Sequence, residues 1–249
     1  MFTSPGPIAF SVFGLDIRWY GILVTCGIIA AVLIGYARAP KFGIDRDHLV
    51  NILLFAIPIG IIGARAYYVI FNWSSYQGDF LRIINFREGG LAIHGGLILG
   101  ILTAYIVARY YREDFLDLAD LAVPSIALGQ AIGRWGNFFN SEAHGGPTDL
   151  PWAVYIDGTG YHPTFLYESI WCFLLFAVLM IISRKRKFRG QILCLYVILY
   201  SVERFFVEAL RTDSLMIGAF KQAQVLSLCL IAVFVIAYIV LSKRTRIRR

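Results

Sequence analysis

Seven stretches of the chain are apolar over about the length that a helix needs to cross a membrane. A hydrocarbon core of about 30 Å requires about 20 residues in helical conformation. The pattern therefore predicts seven transmembrane helices, over residues 18–37, 49–72, 91–110, 117–135, 164–183, 190–210 and 222–242. The second, fourth and sixth stretches contain ionisable residues, so an alternative is that one of them is re-entrant.

The positions of the basic residues predict how these helices are oriented. Of the 23 Lys and Arg residues, 15 lie in alternate connections and in the C-terminal tail. Cytoplasmic loops carry an excess of Lys and Arg, so the C-terminus is predicted to be cytoplasmic and the N-terminus outside. The outward connections are then 73–90, 136–163 and 211–221, and 136–163 is predicted to form a small cap. The sequence thus predicts an all-α integral membrane protein with one polytopic domain, residues 1–249.

Composition agrees with a membrane protein and argues against other classes. Only 16% of the residues are charged, against roughly 25% in soluble domains. The formal net charge of +7 does not indicate nucleic-acid binding, because no basic face carries interleaved aromatic residues. The four cysteines all lie within apolar runs, so neither a disulfide framework nor a metal site is predicted. Residues 1–10 lack the basic segment of a cleavable signal, so the first span is predicted to be retained.

One stretch of the chain becomes polar at the end of an apolar run. Residues 133–145 read Gly-Arg-Trp-Gly-Asn-Phe-Phe-Asn-Ser-Glu-Ala-His-Gly. Arg134, Asn137 and Glu142 recur at intervals that converge if a helix ends here. The glycines, including Gly145, allow a ligand to approach the backbone closely. Because ionisable residues at membrane depth are costly, this stretch is a candidate functional site.

Three other places break the hydrophobic pattern in ways that indicate chemistry. His94 precedes two glycines at the predicted outer start of the third span. Tyr20 starts the first span and fits either an interfacial aromatic residue or a ring packed against glycine. Arg204, Glu208 and Arg211 are spaced at i, i+4 and i+7, so one face of the sixth span carries all three. The alternative for this face is a self-neutralising ladder of charges.

A second group of polar residues fits structural or supporting roles. Arg65 lies in the middle of the second span and needs a partner there, such as a carboxylate on another helix. Glu168 lies about one turn inside the fifth span, where Arg65 or Arg134 would neutralise it. His162 and Tyr167 flank the start of that span.

Together these residues predict a membrane-embedded site, near the outer leaflet, for an anionic ligand that carries phosphate. The planar guanidinium group of arginine suits bidentate recognition of phosphate. One alternative is a transporter or channel for an anionic lipid or solute, which would explain the buried arginines equally well. Another is a seven-helix receptor or structural membrane protein, although that gives no reason for polar residues packed around glycines.

The same motifs carry a family resemblance. Residues 133–145 resemble the signature of bacterial prolipoprotein diacylglyceryl transferases at every fixed position. Further matches, in the family's order, are Trp19-Tyr20-Gly21, His94-Gly95-Gly96, His162-Pro163, Tyr167-Glu168, and Arg204 with Glu208. Phe165 departs from the pattern, since many relatives have Gln there.

The resemblance implies an enzyme of the bacterial inner membrane whose active site faces the outer leaflet. It would move the diacylglyceryl group of phosphatidylglycerol onto the lipobox cysteine of a prolipoprotein, forming a thioether and releasing glycerol phosphate. The expected partners are phosphatidylglycerol, the prolipoprotein signal peptide and membrane lipids. No cofactor, metal or nucleic acid is expected.

Roles for individual residues follow from the resemblance together with the chemistry. A free thiol has a pKa of about 8.5 and gains from a nearby base, and His94 is the expected base. Arg134 and Arg204 are expected to stabilise the leaving phosphate. The other expected substrate-site residues are Asn137 on the headgroup, Glu142 and Glu208 positioning the arginines, Gly145, and Tyr20 as a hydrogen-bond donor or gate. Supporting or structural roles are expected for Arg65, His162, Tyr167, Glu168 and Arg211.

Overall fold

A computed structural model describes residues 2–85, 89–212, 214–218 and 220–244, and most of these residues are helical. The helices are α1 (Trp19–Arg38), α2 (Arg46–Phe71), the short α3 (Phe80–Ile84), α4 (Ile93–Tyr110), α5 (Phe115–Phe139), α6 (Thr164–Ser183), α7 (Gln191–Leu210) and α8 (Gln222–Arg244). Each of the seven predicted spans therefore corresponds to one long helix. The largest difference is at α5, which continues to Phe139, so the first residues of the predicted cap belong to this helix.

Six of the long helices in the described part of the chain are long and apolar enough to cross a membrane. Their segments are Trp19–Phe42, Arg46–Phe71, Ile93–Tyr110, Phe115–Phe139, Thr164–Ser183 and Gln222–Arg244. The remaining long helix, α7, spans 20 residues, but Glu203, Arg204 and Glu208 lie in its second half. The chain is thus a multi-pass membrane protein.

Short strands accompany the helices, and the mostly helical fold is consistent with the predicted all-α membrane protein. Strand β1 (Phe2–Thr3) runs parallel to β4 (Val154–Ile156), which pairs antiparallel with β5 (Thr159–Tyr161). Two hairpins are formed by β2 (Ile8–Val12) with β3 (Leu15–Arg18), and by β6 (Met216–Ile217) with β7 (Phe220–Lys221). The β4–β5 turn uses Asp157 and Gly158, both at positive φ, as tight hairpin turns require.

The chain divides into two compact units, of which one comprises Arg38–Leu118. Within it α2 and α4 pack closely because glycines meet at their interface. A Cβ atom added at Gly63 would lie 2.7 Å from the carbonyl oxygen of Gly95, and small residues permit such approach between membrane helices. Helix α2 begins after Asp45, whose side chain accepts hydrogen bonds from the backbone of Asp47 and His48. These donors lower the pKa of the Asp45 carboxyl below its ordinary value.

The other unit comprises Met1–Ala37 and Ala119–Arg249. Its apolar core joins α5, α6 and α7 through the buried residues Val123, Ala127, Leu175, Leu179 and Ile192. Helices α1 and α5 approach at Gly27, where an added Cβ would lie 3.1 Å from the Gly129 carbonyl oxygen. Asp120, which is fully buried, accepts from the backbone of Gly190 and Leu193 at 2.8 Å each. This carboxylate fixes the start of α7 against α5.

Candidate functional site

Arg134 lies in the penultimate turn of α5 and points toward α6 and α7. Its guanidinium group forms an ion pair with Glu168 of α6 through Nη2. The same nitrogen donates to the hydroxyl of Tyr200 on α7 at 3.3 Å. Three helices of one unit therefore meet at this side chain, which has an ionic and a hydrogen-bonding partner inside the helical unit.

Glu168 is the shared anion of a larger cluster. Its side chain is 1% exposed, and its Oε1 lies 3.2 Å from Nη1 of Arg204 and 3.9 Å from Nη1 of Arg211. The Oε2 atom of Glu208 lies 2.7 Å from Nη2 of Arg204. The structure thus brings together Arg134, Glu168, Arg204, Glu208 and Arg211 around one buried carboxylate.

The two arginines closest to Glu168 are not fully enclosed. The side chains of Arg134 and Arg204 are 22% and 23% exposed, whereas Glu168 is buried. A guanidinium group has five N–H donors, so both residues can hold the carboxylate with one edge and reach a ligand with another. Glu203, next to Arg204, is buried, and its carboxylate has no hydrogen-bond partner among the described residues.

Tyr20 packs directly on the glycine-rich motif. A Cβ atom added at Gly136 would lie 2.5 Å from Cδ2 of the Tyr20 ring, so this position accepts only glycine while the ring stays in place. The neighbouring Trp19 stacks on Phe139 with ring centroids 4.8 Å apart. The start of α1 is thereby fixed against the end of α5, and the Tyr20 side chain, 41% exposed, lies beside the predicted site.

A hydrogen-bonded group links Asn137, in the last turn of α5, to Glu142 just beyond the helix. The Oε1 atom of Glu142 accepts from Nδ2 of Asn137 and Nδ2 of Asn140, at 3.0 Å each. Ser141 and Ala143 adopt positive φ values of 53° and 55°, which turn the chain back so that these side chains meet. Glu142 thus holds two amide groups, and its expected role in positioning an arginine stays a prediction.

Gly145 and His162 belong to the cap, and Tyr167 lies in the first turn of α6. The Gly145 N–H donates to the His162 carbonyl at 2.9 Å, and an added Cβ at Gly145 would lie 2.7 Å from Cβ of His162. His162 Nδ1 is 3.3 Å from the Tyr167 hydroxyl, which also accepts from Trp152 Nε1 at 2.9 Å. These contacts give all three residues a packing role where the cap meets α6.

Arg65 and His94 lie in the Arg38–Leu118 unit. Arg65 is buried, and its guanidinium donates to the carbonyl oxygens of Arg82, Ile83, Gly89 and Gly90 at 2.5–3.1 Å. The expected carboxylate partner is thus replaced by backbone acceptors, and Arg65 organises the loop between α2 and α4.

His94 is exposed at the start of α4, with its ring centroid 6.0 Å from that of Tyr67. Gly95, the next residue, is explained by packing on Gly63. The role of His94 as a base stays a prediction.

An apolar groove of about 530 Å³ is formed by residues of α1, α5 and α6. It is lined by Leu23, Leu128, Ala131, Ile132, Trp135, Leu166, Ser169, Ile170, Phe173 and Leu174. Trp135 and Ser169 directly follow Arg134 and Glu168 in sequence, and Trp135 Nε1 donates to Ser169 Oγ at 3.1 Å. Two residues that line this mostly apolar groove are therefore the sequence neighbours of the charged residues Arg134 and Glu168.

Sequence reasoning missed three polar residues that hold this unit together, namely Tyr200, Asp120 and Lys221. Tyr200 lies four residues before Arg204, so helical spacing could have placed both on one face. Asp120 is a carboxylate within a predicted span, a signal of the same kind that identified Glu168. Lys221 carried no signal, because its partners are backbone carbonyls.

The helices that could span a membrane include residues of a partly exposed cluster of arginines and carboxylates. The protein is therefore a polytopic membrane protein with an ionisable site among its helices. Comparison with known sequences narrows the class. Residues 7–240 match the family described as prolipoprotein diacylglyceryl transferase. The chain therefore belongs to the prolipoprotein diacylglyceryl transferase family and is a transferase.

Individual relatives agree over nearly the whole chain. A phosphatidylglycerol–prolipoprotein diacylglyceryl transferase of Clostridioides difficile (strain 630) is 52% identical over 239 residues, covering 96% of each chain. A protein of the same name from Clostridium novyi (strain NT) is 50% identical over 97% of this chain and 96% of its own length. Another, from Finegoldia magna, is 50% identical over 95% of this chain and 96% of its own length.

Proposed function

We propose that this protein transfers the diacylglyceryl group of phosphatidylglycerol to the lipobox cysteine of prolipoproteins, the first step of lipoprotein maturation. The relatives are named for these two substrates. The structural observation that carries the proposal is the pair of partly exposed arginines, Arg134 and Arg204, held by the buried carboxylate of Glu168. Such planar donors suit the oxygens of a phosphodiester.

The reaction needs one bond made and one broken. The cysteine sulfur attacks the glycerol CH₂ that carries the phosphate, a C–S bond forms, and the C–O bond breaks with its electron pair leaving on the phosphate oxygen. Arg134 and Arg204 stabilise the charge that gathers on this oxygen. His94 is the predicted acceptor of the thiol proton, and glycerol phosphate is released.

Supporting residues complete the proposed site. Asn137, held by Glu142 at 3.0 Å, contacts the headgroup, while Glu208 orients Arg204 from 2.7 Å. Tyr20 donates to the lipid from its position on the motif. The acyl chains occupy the apolar groove beside Trp135, where no polar headgroup would be stable.

The membrane arrangement is part of the proposal. We infer that α7 is a seventh span, whose charged face is tolerated because Arg204 and Glu208 neutralise each other and Glu168 lies opposite. The N-terminus is then outside, the basic connections and the C-terminus are cytoplasmic, and the ionic cluster lies toward the outer leaflet. The expected location is the bacterial inner membrane.

The test is to incubate the purified protein with phosphatidylglycerol and a peptide that contains a lipobox cysteine, and to measure the peptide's mass. The expected result is a gain equal to one diacylglyceryl group and dependent on the cysteine. A Cys→Ser peptide is the matched control. An unmodified peptide after incubation with correctly folded enzyme would refute the proposed function, and a His94→Asn variant with the wild-type rate would refute base catalysis by His94.

A further inference from the structure

The C-terminal end of α7 is held by a side chain that lies outside the helix. The last four carbonyl groups of an α-helix have no partner within it. Lys221 Nζ donates to the carbonyl oxygens of Glu208, Ala209 and Arg211, at 2.8, 3.3 and 2.6 Å. The carbonyl oxygen of Leu210 accepts from the backbone of Gly146 at 2.9 Å. Groups from two other segments thus hold the carbonyl oxygens of Glu208, Ala209 and Leu210 at the end of α7, and that of Arg211 just after it.

Lys221 uses all of its N–H donors on carbonyl groups at the end of α7. A lysine ammonium group has three N–H donors and no acceptor, and all three are directed at carbonyl oxygens of α7. No donor remains for a phosphate group, although the residue is a cation close to a predicted phosphate site. The positive charge also lies at the negative end of the helix dipole, where it is favourable.

The residues that Lys221 holds belong to the ionic cluster through their side chains. The backbone of Glu208 accepts from Lys221, while its carboxylate lies 2.7 Å from Nη2 of Arg204. The backbone of Arg211 accepts from Lys221, while its guanidinium lies 3.9 Å from Glu168. A shift of this turn would therefore move both side chains relative to Glu168.

We propose that Lys221 is a positioning residue for the transferase site, acting through the last turn of α7 and not through contact with substrate. Lys221 ends β7 and directly precedes α8, so one side chain fastens the start of α8 to the end of α7. The expected effect on catalysis rests on the proposed function, whereas the hydrogen bonds from Lys221 to α7 are a property of the fold.

The experiment compares Lys221→Met, Lys221→Arg and the control Lys185→Met in full-length purified protein. Methionine keeps the length of lysine without its donors, arginine keeps charge and donors, and Lys185 is an exposed residue between α6 and α7. Two quantities are measured: amide hydrogen exchange in peptides covering residues 203–212, and kcat and KM for transfer from phosphatidylglycerol to a lipobox peptide.

Lys221→Met is expected to accelerate exchange in the last turn of α7 and to lower kcat/KM at least about tenfold, since small misplacements of catalytic groups are costly. Lys221→Arg should keep both quantities within about threefold of wild type, and Lys185→Met should change neither.

Three outcomes would each overturn the proposal: unchanged exchange in Lys221→Met, faster exchange with unchanged kcat/KM, or failure of arginine to replace lysine. Absence of transfer by the wild-type protein would instead refute the proposed function, while exchange would still decide whether Lys221 holds α7.

Discussion

Glu168 is the residue on which the ionic cluster depends. Its carboxylate is 1% exposed and lies within ion-pair distance of Arg134, Arg204 and Arg211. A buried charge without partners is unfavourable, so the cluster is stable only while the carboxylate and the guanidinium groups neutralise one another. The arginines available for a phosphate are therefore pre-positioned by this anion before any ligand binds.

The variant Glu168→Gln tests this dependence. It removes the shared negative charge at nearly constant size and leaves three cationic side chains facing one another. We expect a loss of about 3 kcal/mol or more in the free energy of unfolding, the scale found when one partner of a buried pair is removed. Thermal unfolding in detergent measures it, with Asp149→Asn as an exposed control in the cap. An unfolding temperature equal to that of wild type would contradict the assigned role of Glu168.

The sequence predicted one of the ion pairs in this cluster but not the partners of Arg65. It expected Glu168 to be neutralised by Arg65 or Arg134, and the structure pairs it with Arg134. Arg65 instead donates to backbone carbonyls. Side-chain charges are visible in a sequence, but carbonyl acceptors are present at every residue, so neither Arg65 nor Lys221 could be assigned its partners in advance.

At the scale of elements, the contact between α2 and α4 depends on glycines that face each other. The carbonyl oxygen of Gly95 lies where a Cβ of Gly63 would project, at 2.7 Å. Gly100, in the same helix pair, has room for a Cβ, with its nearest neighbour at 3.6 Å. These two positions therefore offer a matched comparison within one interface.

Gly63→Ala is expected to push α2 and α4 apart and to destabilise the protein by about 1–3 kcal/mol, as overpacking of close contacts does. Gly100→Ala should be tolerated. Thermal unfolding of the two variants in the same detergent provides the measurement. Equal unfolding temperatures would show that the interface does not require glycine at Gly63.

Six of the long helices in the described ranges were predictable because each contains an apolar segment of membrane length, whereas α7 has charged residues in its second half. The structure moves their ends by at most four residues, with the last turn of α5, up to Phe139, as the largest change. The strands were not predictable, since elements of two to five residues, such as β1 or β2, leave no clear periodicity in a sequence. The glycines of the helices are evident in the sequence, but only the structure shows that the Tyr20 ring packs on Gly136.

At the scale of the whole molecule, orientation in the membrane is the prediction that connects the fold to the outer leaflet. If α7 crosses the membrane, the connections on its two sides lie in different compartments. Lys185, between α6 and α7, would be cytoplasmic, and Thr212, after α7, would be outside. If α7 does not cross, both positions lie on one side.

Cysteine labelling in whole cells distinguishes these arrangements. Lys185→Cys and Thr212→Cys are made separately in a chain whose four native cysteines are replaced by alanine. A membrane-impermeant thiol reagent is expected to label the Thr212 variant in intact cells, and the Lys185 variant only after the membrane is opened. Labelling of both variants, or of neither, in intact cells would contradict seven spans with the N-terminus outside.

The most direct test of the central claim is the initial rate at which Arg134→Gln and Arg204→Gln lipidate a lipobox peptide with phosphatidylglycerol as donor. Arg184→Gln, an exposed arginine between α6 and α7, is the control. Because each residue is assigned to the charge on the leaving phosphate, we expect each site variant to lose about 100-fold or more in rate, with the control unchanged. A correctly folded Arg134 or Arg204 variant that transfers lipid at the wild-type rate would contradict the account.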